Sequence, residues 1–219
     1  NLEGMLQGIE NLPEGSVVLL HACCHNPTGA DLSLADWTRV IDVIQRCNHV
    51  PFIDIAYQGF GDNLQDDAVA LRLFAESGLP LFISSSFSKS FSLYGERVGA
   101  LTLVTESHDE MLSTMSQLKR VIRTNYSNPP THGAKVVSAV LNTVELYAMW
   151  EEELAEMRDR IRIMRHSLVE KLAAAGVTRD MTFIERQRGM FSYSGLTQAQ
   201  VSRLAEEFAI YAVGSGRIC

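Results

Sequence analysis

The sequence lacks a basic excess, long apolar segments and paired cysteines, and each absence narrows the class of protein. Its 219 residues carry a formal net charge of −7, which gives no broad basic field for nucleic acid or anionic lipid. No run approaches the roughly 18 apolar residues of a transmembrane helix, and residues 1–16 lack the basic-then-apolar order of a signal peptide. These features predict a cytoplasmic protein with no nucleic-acid or membrane partner, whose ligand is a small molecule held at a local site.

The cysteines do not have the spacing of a disulfide framework or a zinc ribbon. None of the four forms a C-x-x-C pair. In the segment 21–25, HACCH, alternate residues of an extended strand point to opposite faces, so Cys24 is expected to face away from Cys23. A tetrahedral metal site could not close there, and we predict free thiols and no metal.

The hydrophobic pattern predicts an α/β fold with a mostly parallel sheet flanked by helices. Hydrophobic residues make up 46% of the chain, enough for a sizeable core. Strands are predicted at 16–23, 50–57, 79–87 and 97–104, and helices at 33–47 and 68–77. The first strand is continuously apolar, which is typical of a strand buried on both faces. Alternation of strands and helices favours parallel pairing with right-handed crossovers, although the direction of the fourth strand stays open.

After residue 107 the pattern changes to long helices and then to a small α+β unit. The segment 149–176 is longer than an ordinary core helix and is expected to bridge two domains. Beyond it we predict strands near 181–187, 189–195 and 209–219 and a helix at 197–208. We therefore predict that residues 1–155 form part of a large domain and residues 156–219 a small domain. The small domain is expected to be incomplete, because the chain stops in a strand with no closing helix.

Polar residues follow the carboxyl ends of the first three predicted strands, the edge where parallel sheets bind ligands. They are Asn26 after the first strand, Asp54 and Tyr57 at the second, and Ser86 and Lys89 at the third. A carboxylate in the apolar run around Asp54 costs several kcal/mol unless it meets a cation or strong donors. Asp54 could therefore bind a cationic ligand, or it could have a purely structural role as a helix cap or in a buried ion pair.

Lys89 and Arg97 each have an ordinary interpretation as surface charges. A lysine held among small and apolar neighbours, however, is a usable nucleophile toward a carbonyl group. Arg97, combined with Ser86, could bind a dianionic phosphate through paired hydrogen bonds.

Six ordered motifs resemble the second half of the fold-type I pyridoxal-phosphate aminotransferases. They are HNPTG (25–29), DIAYQGF (54–60), SSSFSKSFSLYGERVG (84–99), RTNYSNPPTHGA (123–134), GMFSYSGL (189–196) and SGRIC (215–219). Within that family the likeness is greatest to bacterial aromatic amino acid (tyrosine) aminotransferases, with aspartate aminotransferases next. The resemblance spans the whole chain, whereas members of the family are roughly twice as long.

The resemblance implies roles for six residues of this chain toward a pyridoxal 5′-phosphate coenzyme, and it implies that the family's remaining coenzyme contacts come from the half that this sequence does not include. Lys89 would bind it covalently and, once displaced by the substrate, move a proton as general base and acid. Asp54 would keep the pyridine nitrogen protonated. The phenolic oxygen would be bound by Tyr57 and Asn26, and the phosphate by Ser86 and Arg97.

For the substrate, the resemblance implies that Arg217, with Asn26, binds the α-carboxylate. Arg123 resembles the arginine that reaches into a neighbouring subunit and binds a distal carboxylate, which implies a homodimer with shared sites. Phe191 would line the substrate pocket and His21 would lie behind Asp54, although both could equally be core residues.

The implied reaction is ping-pong transamination between an aromatic or dicarboxylic L-amino acid and 2-oxoglutarate. Three alternatives stay open: an aspartate aminotransferase proper, a decarboxylase or β-eliminating enzyme with the same coenzyme, and a truncated, non-catalytic fragment. The segments SFSLYGERVG and GMFSYSGL tilt the prediction toward the aromatic subgroup.

Overall fold

Four strands form the main sheet of the computed structural model, which describes residues 1–219. They are β1 (Val17–His21), β2 (Val50–Ile55), β3 (Leu81–Ser86) and β4 (Gly99–Val104), and they are adjacent in that order. The first three are parallel and β4 is antiparallel to β3. The predicted mostly parallel α/β sheet is therefore confirmed, and the fourth strand runs in the reverse direction.

The chain divides into two compact units. The first contains residues 1–22, 32–56 and 68–151, and the second contains residues 23–31, 57–67 and 152–219. None of the helices is both long and apolar enough to cross a bilayer.

Helices of the first unit form where the sequence supplies caps and an apolar face. They are α1 (Leu2–Glu10), α2 (Leu34–Arg46) and α3 (Val69–Glu76). At the start of α2, Ser33 Oγ accepts from the Asp36 N–H while the Asp36 carboxylate accepts from the Ser33 N–H, which is a capping box. On the inner faces, Trp37 packs edge-on against Phe74 with ring centroids 6.0 Å apart, and Phe74 is fully buried.

Burial of β1 departs from the prediction. Val18 and Leu20 are buried, whereas Val17 and Leu19 are 61% and 64% exposed. The expectation of a strand buried on both faces is wrong for this chain, because only the face of β1 that carries Val18 and Leu20 is covered. A continuous apolar run does not show which of its faces the chain itself covers.

Three long helices follow the sheet: α4 (His108–Asn125), α5 (His132–Leu141) and α6 (Val144–Ala174). The last has 31 residues, begins five residues before the predicted start, and contributes residues to both units. No residue of α4 is buried, and large apolar side chains are exposed along these helices, among them Leu112, Val121, Val144 and Met149.

After α6 the second unit contains α7 (Phe183–Arg186), β5 (Ser192–Tyr193), α8 (Gln198–Phe208) and β6 (Arg217–Ile218). β5 and β6 are antiparallel, and Thr197 with Gln200 forms a capping box at α8. The predicted strand at 181–187 is wrong. There the Asp180 carboxylate accepts from the Thr182 N–H and hydroxyl and so turns the backbone into one helical turn that buries Ile184.

Candidate active site

In the first unit, the register of three neighbouring strands fixes the surroundings of Asp54. It pairs with His21 on β1 and Ser84 on β3. Ser84 Oγ donates to Asp54 Oδ1 at 2.6 Å, and His21 Nε2 lies 3.9 Å from Oδ2. The carboxylate side chain stays 29% exposed. A held but accessible carboxylate of this kind can meet a cationic ligand atom.

Lys89 lies in a tight turn directly after β3. The turn is closed by the Ser92 N–H, which donates to the Lys89 carbonyl at 3.1 Å. The neighbours Ser88 and Ser90 are buried at 6% and 7% exposure, while Lys89 is half-buried. Trp150 Nε1 donates to the Ser90 carbonyl at 2.6 Å and fastens the turn to α6. The amine is therefore carried by a hydrogen-bonded turn at the carboxyl end of a strand.

Arg97 and Ser86 lie at the same end of the sheet. Ser86, the last residue of β3, pairs with Gly99, the first of β4. A Cβ on Gly99 would lie 2.7 Å from the Ser85 carbonyl oxygen, so this close approach requires glycine. Arg97 precedes the strand, is exposed, and has a left-handed φ of 51° with its Nη1 donating to the Tyr94 carbonyl.

In the second unit, four predicted site residues touch one another. Asn26 Nδ2 donates to the Tyr57 hydroxyl at 3.5 Å, and Arg217 Nη1 donates to Asn26 Oδ1 at 3.0 Å. The Arg217 guanidinium lies 4.6 Å from the centroid of the Phe191 ring. Tyr57 meets the same ring edge-on at 5.6 Å. Residues from distant parts of the sequence thus form one continuous wall of an amide, a phenol, an aromatic ring and a cation.

The turn that carries Asn26 is held by a side chain downstream of it. The Asp31 carboxylate accepts from the Cys24 and His25 N–H groups at 2.7 and 2.9 Å. The Gly29 N–H closes the turn by donating to the His25 carbonyl at 2.7 Å. The HNPTG segment is therefore an ordered turn that presents the Asn26 amide to Arg217.

Arg217 has an unsatisfied donor. Its Nε is buried and has no hydrogen-bond partner, a situation that costs roughly 1–3 kcal/mol. The guanidinium is already oriented by Asn26 and Phe191. A carboxylate placed against its free edge would satisfy Nε with a charge-assisted bond, so the donor set fits a carboxylate-bearing ligand.

Arg123 makes a local hydrogen bond within four residues of the chain. It is exposed in the last turn of α4, and its Nη1 donates to the Ser127 hydroxyl. Its predicted role in a neighbouring subunit stays a prediction.

Ser84 and Asp67 are two supporting residues that the sequence reasoning missed. Asp67 is 5% exposed, and its carboxylate accepts from the N–H groups of Gly59, Gly61 and Asp62 at 2.7–2.9 Å. It thereby holds the loop that follows Tyr57. In the sequence, Asp67 is an acidic residue just before an apolar helix. A helix cap would give the same pattern, so the pattern alone does not reveal its role.

The predicted separation of the Cys23 and Cys24 thiols is also wrong. β1 ends at His21, and Cys24 adopts a left-handed φ of 54°, so the alternation of a strand does not extend to these residues. Both thiols lie within 4.8 Å of each other and of an Asp67 carboxylate oxygen. Asp67 accepts from backbone N–H groups and Cys24 Sγ donates to the Tyr57 carbonyl, so two of the three side chains already have hydrogen-bond partners. The absence of a metal stays a prediction.

Burial raises the pKa of Asp67 from 3.8 to about 6, because desolvation outweighs the N–H groups of Gly61 and Gly59. Between those values the folded state binds more protons than the unfolded chain. The contribution of Asp67 to the free energy of unfolding therefore falls as the pH rises from about 4 to about 6, by on the order of 3 kcal/mol.

In denaturant titrations of the full-length gene product between pH 4 and pH 6, Asp67→Asn should remove this fall in the free energy of unfolding. The exposed neighbour variant Asp66→Asn should retain it, and a slope unchanged in Asp67→Asn would contradict the assignment.

Comparison with known proteins identifies the family. The aminotransferase class I and II family matches residues 1–219. The chain belongs to this family. It is 67% identical over 219 residues to an aspartate aminotransferase of Pseudomonas aeruginosa, covering 100% of the chain and 55% of that protein. It is 51% identical over 215 residues to an aromatic-amino-acid aminotransferase of Escherichia coli, covering 98% of the chain and 54% of that protein.

Solved structures agree with the family assignment. The aromatic-amino-acid aminotransferase from Burkholderia pseudomallei, covalently bound to pyridoxal phosphate, superimposes with a TM-score of 0.98 at 63% identity. The match covers 100% of the chain and 55% of that structure. The resemblance seen in the six motifs is confirmed, as is the fold. The chain spans about half the length of the relatives it matches.

Proposed function

We propose that the chain forms part of a pyridoxal-phosphate-dependent aminotransferase acting on aromatic and dicarboxylic L-amino acids. The observation that carries the proposal is the Arg217 guanidinium, oriented by Asn26 and Phe191 and left with a buried Nε that lacks an acceptor. Membership of the aminotransferase family supports it. An amino acid and its 2-oxo acid share the α-carboxylate that such a guanidinium binds.

The chemistry of the candidate residues also suits the coenzyme. When bound, pyridoxal phosphate withdraws electrons from the bond that breaks at the substrate α-carbon. Asp54, held by Ser84, keeps a proton on the ring nitrogen, and the Lys89 amine binds the coenzyme covalently and then transfers a proton at the α-carbon. The hydroxyl of Tyr57 and the amide of Asn26 bind the phenolic oxygen. Ser86 and Arg97, at the same end of the sheet, bind the phosphate.

The two arginines Arg217 and Arg123 bind the carboxylates of the substrate. Arg217 pairs with the α-carboxylate in a bidentate fork, with the Asn26 amide beside it. Phe191 covers the guanidinium and forms an apolar wall beside an aromatic or aliphatic side chain. Arg123, supplied by a second copy of the chain in a cytoplasmic homodimer, binds the distal carboxylate of a dicarboxylic substrate. The acceptor in the second half of the ping-pong cycle is 2-oxoglutarate.

A single half-reaction tests the reaction type. The full-length gene product, loaded with coenzyme and mixed with glutamate alone, should release one equivalent of 2-oxoglutarate per site and retain the aminated coenzyme. A decarboxylase or a β-eliminating enzyme would instead release carbon dioxide or continue to turn over. Either of those products would contradict transamination.

The aspartate aminotransferase alternative is favoured by one comparison, the 67% identity to the Pseudomonas aeruginosa protein of that name. Steady-state kinetics with tyrosine and aspartate separate the two. The proposal predicts that kcat/KM for tyrosine is at least comparable with that for aspartate. A preference for aspartate of about 100-fold or more would favour the aspartate enzyme.

The non-catalytic alternative concerns the 219-residue chain by itself. Apolar side chains such as Val144 and Val121, 81% and 60% exposed, would promote association in water. We therefore expect the isolated chain to aggregate and to bind the coenzyme weakly, measured as the change in coenzyme absorbance. Tight stoichiometric binding would show that this segment contains a complete coenzyme site.

A further inference from the structure

Arg165 is a buried arginine in the middle of α6 whose hydrogen bonds all go to one short segment. It is 7% exposed. Its Nε donates to Ser192 Oγ at 2.8 Å, and its two Nη atoms donate to three main-chain carbonyls at 2.6–2.9 Å. The carbonyls belong to Gln187, Gly189 and Phe191. We call residues 187–192 the carbonyl segment.

A buried guanidinium with carbonyls as its acceptors demands a particular backbone shape. Removing the charge from water is costly, and carbonyl dipoles offset that cost only while they converge on it. Arginine presents five N–H donors in a fixed planar fork, whereas lysine offers three from one flexible point. Arg165 therefore stabilises the conformation of the carbonyl segment in which the three carbonyls point toward α6.

The opposite side of the carbonyl segment is held by the turn that carries Asn26. The Arg188 N–H donates to the Gly29 carbonyl at 2.7 Å. A Cβ on Gly29 would lie 2.6 Å from the Phe191 carbonyl oxygen, so the two backbones approach as closely as glycine allows. The segment is thus clamped between Arg165 and the Asn26 turn, and Phe191 has little freedom to move.

The ring of Phe191 transmits this constraint to Arg217. It lies 4.6 Å from the guanidinium carbon and meets Tyr57 edge-on. Ser192 pairs with Ile218, the residue after Arg217, in the β5–β6 ladder. Both the ring over Arg217 and the strand beside it therefore depend on the segment that Arg165 holds.

We propose that Arg165 is a positioning residue for Arg217 and that it sets the affinity of the enzyme for the substrate carboxylate without touching substrate or coenzyme. The inference rests on the proposed function of Arg217. Loss of Arg165 shifts Phe191 and turns the guanidinium away from its productive orientation. Carboxylate binding weakens, while the turn that holds Lys89 keeps its own contacts.

The test compares variants of the full-length, coenzyme-loaded gene product. Arg165→Met removes the donors, and Ser192→Ala removes only one acceptor and is the milder change. Arg160→Met, at an exposed position of the same helix, is the matched control. The probe is succinate, a dicarboxylate with no amino or keto group, and its dissociation constant is measured by titration calorimetry so that turnover plays no part.

We expect Arg165→Met to weaken succinate binding about 10- to 100-fold, because the carboxylate loses part of its charge-assisted, bidentate pair with Arg217. Ser192→Ala should weaken succinate binding about 3- to 10-fold. The KM for glutamate should rise in both variants, and more in Arg165→Met than in Ser192→Ala. The coenzyme content and kcat should change less than KM does. Arg160→Met should bind like the wild type. If Arg165→Met does not fold, the Ser192→Ala result decides.

Two outcomes overturn different claims. A wild type that binds succinate, together with variants that bind it equally well, overturns the role of Arg165 alone. A wild type that holds the coenzyme but binds no succinate overturns the proposed function of Arg217 and this inference with it.

Discussion

Lys89→Ala in the full-length gene product is expected to abolish covalent coenzyme binding and to lower turnover by about 10²- to 10⁴-fold. Lys89 is half-buried in the turn after β3, between two buried serines. Alanine removes the amine but none of the backbone hydrogen bonds that close the turn. The loss should therefore be chemical, with the melting temperature nearly unchanged.

The control for this variant is Lys171→Ala, which removes an exposed lysine in the last turn of α6. It should retain wild-type kinetics and coenzyme content. The measurements are steady-state turnover with glutamate and release of coenzyme on denaturation after borohydride reduction, which fixes the covalent linkage so that only non-covalent coenzyme is lost. Turnover of Lys89→Ala within tenfold of the wild type would contradict the assignment.

Arg217→Ala is expected to lower kcat/KM by about 10²- to 10³-fold for amino acid and 2-oxo acid alike. The estimate follows from the loss of a charge-assisted, bidentate pair, for which truncation typically costs 2–5 kcal/mol. Because both substrates carry the same α-carboxylate, the two half-reactions should suffer similarly. A larger effect on one half-reaction would indicate that Arg217 recognises a different group.

Arg217→Lys keeps the charge but loses the planar fork, so most of the loss should remain. Arg203→Ala serves as the control, because this arginine is exposed on α8 and pairs with Glu207 one turn away. It should change kcat/KM by less than about twofold. Full activity in Arg217→Lys would show that charge alone suffices and that the geometry with Asn26 and Phe191 does not matter.

Much of the fold was predictable because the sequence expresses it locally. The predicted helices at 33–47 and 197–208 begin at capping boxes, Ser33 with Asp36 and Thr197 with Gln200, whose partners lie only three positions apart. The alternation of apolar strands and amphipathic helices likewise predicts parallel pairing, and the sheet has it. The prediction of a strand at 181–187 failed because a pattern of seven residues is too short to separate a strand from one helical turn. Here the contacts of the Asp180 side chain with Thr182 favour the turn.

The supporting residues of the candidate site were not predictable, because their roles depend on contacts between distant segments. Arg165 lies in a charged stretch of α6, and nothing in that pattern distinguishes it from exposed Arg160 or Arg162. Its burial arises only when residues 187–192 fold against the helix. Ser84 gains its role only through the strand register that places it beside Asp54.

Covalent attachment of the coenzyme at Lys89 is the central claim, and peptide mass spectrometry after borohydride reduction tests it most directly. The full-length gene product, reduced in the presence of pyridoxal phosphate and digested, should yield a pyridoxyl adduct on Lys89 at close to one equivalent per chain. A modified peptide that contains another lysine, or no modified peptide from a yellow and folded protein, would contradict it.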